Sequence, residues 1–263
     1  GYQSPWWREY KLIEDHFARL NTVLTHGRPI VRLAVIHPIE SYWLAWGPAE
    51  HNQPEWQTRE AQLRDVCEIL LKGLIDFDFV SEGMLPDLVR KPTRGKFCVG
   101  EMRYDAVLVP NLRTIRSSTL KALEAFASTG GSVIFAGGVP SLVDVKPSAK
   151  PSRLAGRSVV VPFEKQPILD AVEFLREVAI QNADGSPADG FVHQLREAGR
   201  DRSLFIVNTD RNRPRPRTQI IVKGRWHATR LDTLTGRRAT CTSIIEGLSL
   251  IPISEPTRRY AIS

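Results

Sequence analysis

Residues 104–138, YDAVLVPNLRTIRSSTLKALEAFASTGGSVIFAGG, decide the fold of this chain. Residues 105–109, DAVLV, are a short apolar run of the kind found in a strand buried on both faces. Pro110-Asn111 end it. Ser117 or Ser118 is placed to cap a helix in which Leu120, Leu123 and Phe126 recur every three residues. Gly130-Gly131 supply a left-handed stop. Residues 132–136, SVIFA, make the next strand, closed by Gly137-Gly138. Strand, helix, strand is a βαβ unit, so the two strands are expected to run parallel.

Upstream, Ser4-Pro5 reads as a helix start, followed by Trp6, Tyr10, Ile13, Phe17, Leu20 and Leu24 in one apolar stripe. Gly27 and Pro29 stop it. Residues 30–37, IVRLAVIH, are the expected first core strand. Residues 38–56, PIESYWLAWGPAEHNQPEW, are too long and aromatic for a plain connector. They leave the carboxyl end of a parallel strand, where open α/β sheets place ligands. A helix over 56–72, a strand over 76–80 and a helical turn over 81–85 follow. Residues 86–97 read as a polar surface loop, 96–102 as a small strand, 140–145 as a short helix and 146–156 as a linker. A strand over 158–162 and a helix carrying Ile168, Val172, Leu175 and Ala179 complete the series.

From residue 189 the pattern becomes strand-length pieces divided by turn residues, with no helix between them. The fold class expected is therefore α/β: a doubly wound, mostly parallel flavodoxin-like sheet, followed by the start of an antiparallel β domain. The expected division is an interdomain helix over 1–27, an α/β domain over 28–182, a partial β-sandwich over 189–248 and a tail over 249–263. The last dozen residues resemble translated adaptor or vector sequence, so the tail is read as foreign. Gly1 is not Met, and residues upstream are expected to be missing.

The chain has 263 residues, 42% of them hydrophobic and 25% charged, the balance of an ordinary globular protein. No run approaches the roughly 18 apolar residues of a membrane span, and no membrane partner is expected. The first residues form no secretory signal, and the sequence names no compartment. Cys67, Cys98 and Cys241 match no zinc or redox spacing, so no metal site is expected. The net charge of +7 falls mostly after residue 150, around Arg196, Arg200, Arg202, Arg211, Arg213, Arg215 and Arg217. Arg211, Arg213 and Arg215 alternate with Asn212 and Pro214 and lack interleaved aromatics. A solvated loop, with no nucleic-acid partner, is the reading.

No GxGxxG follows a strand and no GxxxxGK[ST] occurs, so no nucleotide cofactor is expected. His37 and Glu40 lie at the mouth of the first strand; Asp76, Asp78 and Glu82 lie around the second. A carboxylate pair at suitable separation could act on a glycosidic bond. The favoured reading is that Glu40 and Glu82 cap short helices or bond nearby backbone, with Asp76 and Asp78 sharing the outer face or end of one strand. Tyr42, Trp43, Trp46 and Trp56 offer flat faces that suit sugar rings or a domain interface alike.

The 104–138 pattern resembles the class I glutamine amidotransferase-like fold. Members with that activity place a cysteine on a sharp turn after a core strand. Here the turn reads Ala136-Gly137-Gly138-Val139, with no nucleophile and no GxSxG. GRPIVRLAVIHPIESYWLAWGP, then DFDFVSEGML, then the 104–138 unit together resemble the accessory α/β domain of large multidomain glycoside hydrolases of the α-L-rhamnosidase type. The same domain is similar to the trimerisation domain of certain β-galactosidases. The resemblance implies a catalytic (β/α)-barrel upstream and β-sandwich domains after it. It implies a carbohydrate ligand, the missing barrel as partner, and a homo-oligomer. The family's catalytic carboxylates lie mainly in the barrel, so no catalytic residue carries over. Glu40, Tyr42, Trp43, Trp46, Trp56 and His37 remain as substrate-binding candidates of a non-catalytic fragment. The alternative is a self-sufficient carbohydrate-binding or oligomerisation module.

Overall fold

The computed structural model describes residues 2–212, 218–241, 248–253 and 260–262. The chain divides into two units, Val31–Leu175 and Gly1–Ile30 with Arg176–Ser263.

Val31–Leu175 is built on a five-stranded parallel sheet in the order Val159–Val161, Ser132–Ala136, Ala106–Pro110, Leu33–Ile36, Phe77–Val80. That is the doubly wound, flavodoxin-like arrangement. Successive side chains of a strand point to opposite faces, so a strand covered on both sides must be apolar throughout. On one face Ala34, Ile36, Val107, Val109 and Phe135 pack with Leu120, Leu123 and Phe126 of the helix Ser117–Ser128. On the other, Leu33, Val35, Leu108 and Ile134 pack with Val66 and Leu70 of the helix Ala49–Lys72. Ile168, Leu169 and Val172 of the helix Lys165–Val172 join that second face.

The organising helix begins at Ser117, but its cap is not a serine. Arg116 holds the N-cap position without a side-chain bond of its own. Glu82 Oε2 accepts the Arg116 backbone N–H at 2.8 Å, and Asp144 Oδ1 accepts that of Ser117 at 3.0 Å. Two carboxylates from distant loops thus satisfy the exposed amides and complement the helix dipole. Gly131 follows the helix because a Cβ there would fall 2.1 Å from the Phe126 ring.

Several expected segments differ. Residues 38–56 are not an open loop: they form the helix Ile39–Ala45 and the first two turns of Ala49–Lys72, with Pro54 inside the latter. Residues 86–97 are not a loop either. Val89–Thr93, Lys96–Val99 and Met102–Tyr104 make an antiparallel meander. Its first turn, Arg94-Gly95, has both residues at positive φ, which suits a two-residue hairpin. The expected 140–145 helix is replaced by Leu142–Val143, paired with Thr114–Ile115 and with Lys146–Pro147. The expected linker contains the helix Lys150–Ala155, whose Leu154 is fully buried. Ala179 lies in the strand Val178–Gln181 rather than on a helix.

In the other unit the chain enters through the helix Tyr10–Thr25, preceded by a 3-10 turn at Trp7–Glu9 rather than a helix start at Ser4. His16 and Leu20 are its buried residues, with His16 Nδ1 3.1 Å from the Thr233 carbonyl. Of the rest of the apolar stripe Tyr10 and Leu24 are half-buried, while Trp6, Ile13 and Phe17 are exposed, Phe17 at 57%. Arg196 closes the helix end: its guanidinium donates to the carbonyls of Thr25, His26 and Gly27. A cation on the last carbonyls of a helix is favourable both as donor and against the dipole. Arg28–Pro29 pairs with Phe191–Ala198, which forms a hairpin with Asp201–Asn208. The expected strand over 30–37 is accordingly reduced to Leu33–Ile36. Val178–Gln181 pairs with Thr218–Lys223, and that strand with Leu248–Ile253. Tyr260–Ile262 lies between Asp201–Asn208 and Ala228–Asp232. The basic loop residues Arg213, Arg215 and Arg217 lie outside the described residues.

The turn Asp144-Val145 also has both residues at positive φ, 47° and 66°. A β-branched side chain is strained in that region, and Val145 is 56% exposed, so it gains little in return. Val145→Gly is expected to stabilise the α/β unit by about 1 kcal/mol, the relief of left-handed strain less the added freedom of glycine in the unfolded chain. A urea denaturation curve of the variant against the parent measures it.

Candidate functional site

In a sheet of this order the chain leaves Leu33–Ile36 toward one side and Ala106–Pro110 toward the other. The crevice outside the carboxyl ends of these two strands is the place for a ligand. Here the chain fills it with itself. Pro38, Arg59, Leu63, Val66, Pro110 and Asn111 leave a space of about 10 Å3, enough for roughly one water molecule.

The helix Ala49–Lys72 fills the crevice with Arg59, Leu63 and Val66, and the helix Ile39–Ala45 is tied to the segment after Ala106–Pro110. Ser41 is buried, and its Oγ accepts the backbone N–H groups of Arg113 at 2.9 Å and Thr114 at 3.2 Å. Asn111 holds the next turn: it sits at φ 38°, and its Oδ1 accepts the Gly138 N–H at 3.0 Å. Gly137 has φ +86°, and a Cβ there would fall 3.0 Å from that of Asn111. The strand-end turn examined for a nucleophile is therefore a packed glycine corner.

Glu40 and Glu82 are engaged at the same edge, whereas Asp76 and Asp78 lie just before and within the strand Phe77–Val80. Glu40 pairs with the Arg116 guanidinium. Glu82 is 1% exposed. Burial lifts its carboxyl to about 7, against the pull of the Arg116 backbone N–H, while the charge of Glu40 raises it further. Asp78 accepts the Tyr104 phenol at 2.9 Å, and burial and Asp78 together push that phenol upward. Burial, then the charge of Asp78, lifts Asp76 to about 6. His37 packs edge-on against Phe79 with ring centroids 5.3 Å apart, and burial lowers its pKa.

The aromatic candidates are arranged differently. Tyr42 and Trp46 have ring centroids 6.1 Å apart at 34°, and Trp46 and Trp56 lie 6.4 Å apart at 46°. The three form a shelf carried by the two helices after the first strand. Trp46 is 66% exposed, and Trp43 is exposed as well. Glu55, the neighbour of Trp56 in sequence, bonds Arg59 at 3.2 Å and Arg113 at 3.3 Å, giving the shelf a charged rim. Five of the six candidates thus fall into three places: Tyr42, Trp46 and Trp56 together, Glu40 with Arg116, and His37 with Phe79, while the sixth, Trp43, is exposed. Ser41, Asn111 and Arg116 escaped the sequence reading, because a lone serine, asparagine or arginine in a loop carries no spacing signal.

Among the described residues no group of three or more His, Cys, Asp or Glu is placed to hold a metal ion. None of their helices is long and apolar enough to cross a membrane.

No protein-family model matches the chain, and no curated protein matches it. Solved structures do. The fold is similar to part of a rhamnosidase from Novosphingobium sp. PP1Y, with a TM-score of 0.66 and 15% identity, over 99% of this chain and 25% of that one. It is similar to part of Gan42B, a GH42 β-galactosidase from G. stearothermophilus, with a TM-score of 0.62 and 12% identity, over 100% of this chain and 44% of that one. The α-L-fucosidase isoenzyme 2 of Paenibacillus thiaminolyticus gives a TM-score of 0.57 and 10% identity, over 96% and 51%. The chain spans between a quarter and about half of the length of these glycoside hydrolases, and at such identities the likeness is one of fold.

Glu82 and Asp76 set a pH dependence. Both carboxyls hold their protons more tightly folded than unfolded, up from ordinary values of 4.5 and 3.8 respectively. Between about pH 4 and 7 the folded state therefore binds more protons, and stability falls as pH rises. Glu82→Gln is expected to flatten that fall, the Glu82 share being on the order of 3 kcal/mol. Denaturation midpoints at pH 4.5 and 7.5 for both proteins test it.

Proposed function

We propose that this chain is a non-catalytic accessory part of a larger glycoside hydrolase of the rhamnosidase and β-galactosidase sort. The observation that carries the proposal is coverage. Nearly the whole of this chain follows a portion of several glycoside hydrolases, each of which has about as much polypeptide again or more. The filled switch-point crevice supports it, since the sheet keeps no room for a sugar where a ligand would normally sit.

In this reading Glu40 is a structural partner of Arg116, and His37 belongs to the packing of the edge strand. The shelf of Tyr42, Trp46 and Trp56, with Trp43 beside it in sequence, is the contact surface. It completes a sugar site of the parent or an interface with another of its domains. Exposed indoles with a charged rim suit both.

Aryl glycosides offered to this chain alone should not be hydrolysed, while the full-length parent should turn them over. Hydrolysis by the chain alone that Glu40→Gln abolishes overturns the proposal. Trp46→Ala placed in the parent separates the two roles of the shelf. A KM raised about three- to tenfold at unchanged melting temperature assigns it to sugar, the range expected for one lost stacking contact. A lowered melting temperature at unchanged KM assigns it to an interface, and no change in either removes the shelf from the account.

A further inference from the structure

The unit formed by Gly1–Ile30 and Arg176–Ser263 holds a cavity of about 320 Å3 that the shelf reading does not use. Trp226 and Arg202 line it, together with Arg200, Arg225, His227 and Asp201. Its wall is set in place by the chain itself. The Trp226 indole N–H donates to the Lys223 carbonyl at 2.8 Å. Between those two residues Gly224 has φ +104°, and a Cβ there would come 2.9 Å from the indole nitrogen. The backbone of the turn therefore lies directly against the ring and fixes its position. The Arg202 guanidinium lies 4.7 Å over the ring centroid and is held by Glu177 at 3.1 Å. Ring and cation need no ordering when a ligand arrives, which removes one of the usual costs of binding.

An indole beside guanidinium groups suits a ring that has an apolar face and carries a negative substituent. The planar fork of arginine matches a carboxylate or a sulfate better than an ammonium would. The volume lies at the small end of ligand pockets, room for one ring rather than a run of them. We propose that this cavity binds a single acidic sugar unit of a polysaccharide, with Arg200 and Arg225 at the charged group, Trp226 at the ring and Asp201 accepting from its hydroxyls. The proposal rests on the carbohydrate reading above but is read on this chain alone, so it stands or falls separately from the turnover experiment.

Calorimetric titration of this chain with a galacturonate trisaccharide, a sulfated galactose, neutral galactotriose and a nucleoside monophosphate tests it. One or both acidic sugars should bind, and the pair of probes distinguishes carboxylate from sulfate. The neutral sugar should bind at least about tenfold more weakly, and Arg200→Gln and Arg225→Gln should each weaken the acidic ligand about tenfold, the size of one lost charge-assisted hydrogen bond. Trp226→Phe keeps a ring in place and should retain part of the affinity. Equal affinity for neutral and acidic sugars, no binding of either acid, tighter binding of the nucleotide, or arginine variants that bind as the parent does would each overturn it.

Discussion

A strand covered on both faces has to be apolar at every position, and Ala106–Pro110 is such a strand: all five residues are buried. Everything else in the Val31–Leu175 unit follows from that requirement. Each face needs a helix with an apolar stripe, which Ser117–Ser128 supplies on one side and Ala49–Lys72 with Lys165–Val172 on the other. A strand with no polar side chain of its own can offer chemistry only at its ends. The carboxyl ends are therefore where the polar residues of the unit gather.

What those polar residues do is structural. Ser41 accepts two backbone N–H groups, Asn111 accepts a third, and Glu82 and Asp144 cap a helix whose own first residue leaves its amide unmet. Burying an amide without a partner costs about 1–3 kcal/mol, so Ser41 and Glu82, which meet buried or partly buried amides, offset a cost that the closed edge would otherwise carry. A carboxyl lifted to about 7 inside such an edge would elsewhere suggest a catalytic acid. Here Glu82 is buried beneath the Arg116 backbone, and its raised proton affinity is a consequence of that burial, which outweighs the opposing pull of the capping bond. The exposed surface of the same edge is aromatic, and the proposed contact role falls there to Tyr42, Trp46 and Trp56.

The central βαβ unit was legible because its periods are unmixed: DAVLV and SVIFA are continuous runs, and Leu120, Leu123 and Phe126 repeat at helical spacing. Of the meander over Val89–Tyr104 only a strand from Lys96 was legible; Val89–Thr93 was not, because it is short, polar and half exposed and its turn uses Arg94-Gly95 instead of asparagine and glycine. The start of the helix Ala49–Lys72 was hidden by Pro54 and a run of polar residues. The stripe of the helix Tyr10–Thr25 was visible, yet only Leu20 of it is buried, since periodicity shows that a face exists without showing what covers it. Charge was hardest to read. Arg196 and Arg202 counted toward a basic surface in the sequence, whereas one closes a helix and the other holds an indole. Of the candidate site, the aromatic shelf was legible as composition, and the capping role of Glu82 was visible as one of two readings. The Ser41 contact had no signal at all.

On the proposed reading this unit is a scaffold whose usual ligand crevice is shut, and reaction belongs to other polypeptide of a parent enzyme. Heteronuclear NMR of this chain at saturating concentrations of a sugar ligand tests that most directly. The amide signals of residues 39–41 and 111–114 should stay where they are. A ligand-dependent shift of those amides, with loss of the protection that Ser41 gives to Arg113 and Thr114, would contradict it.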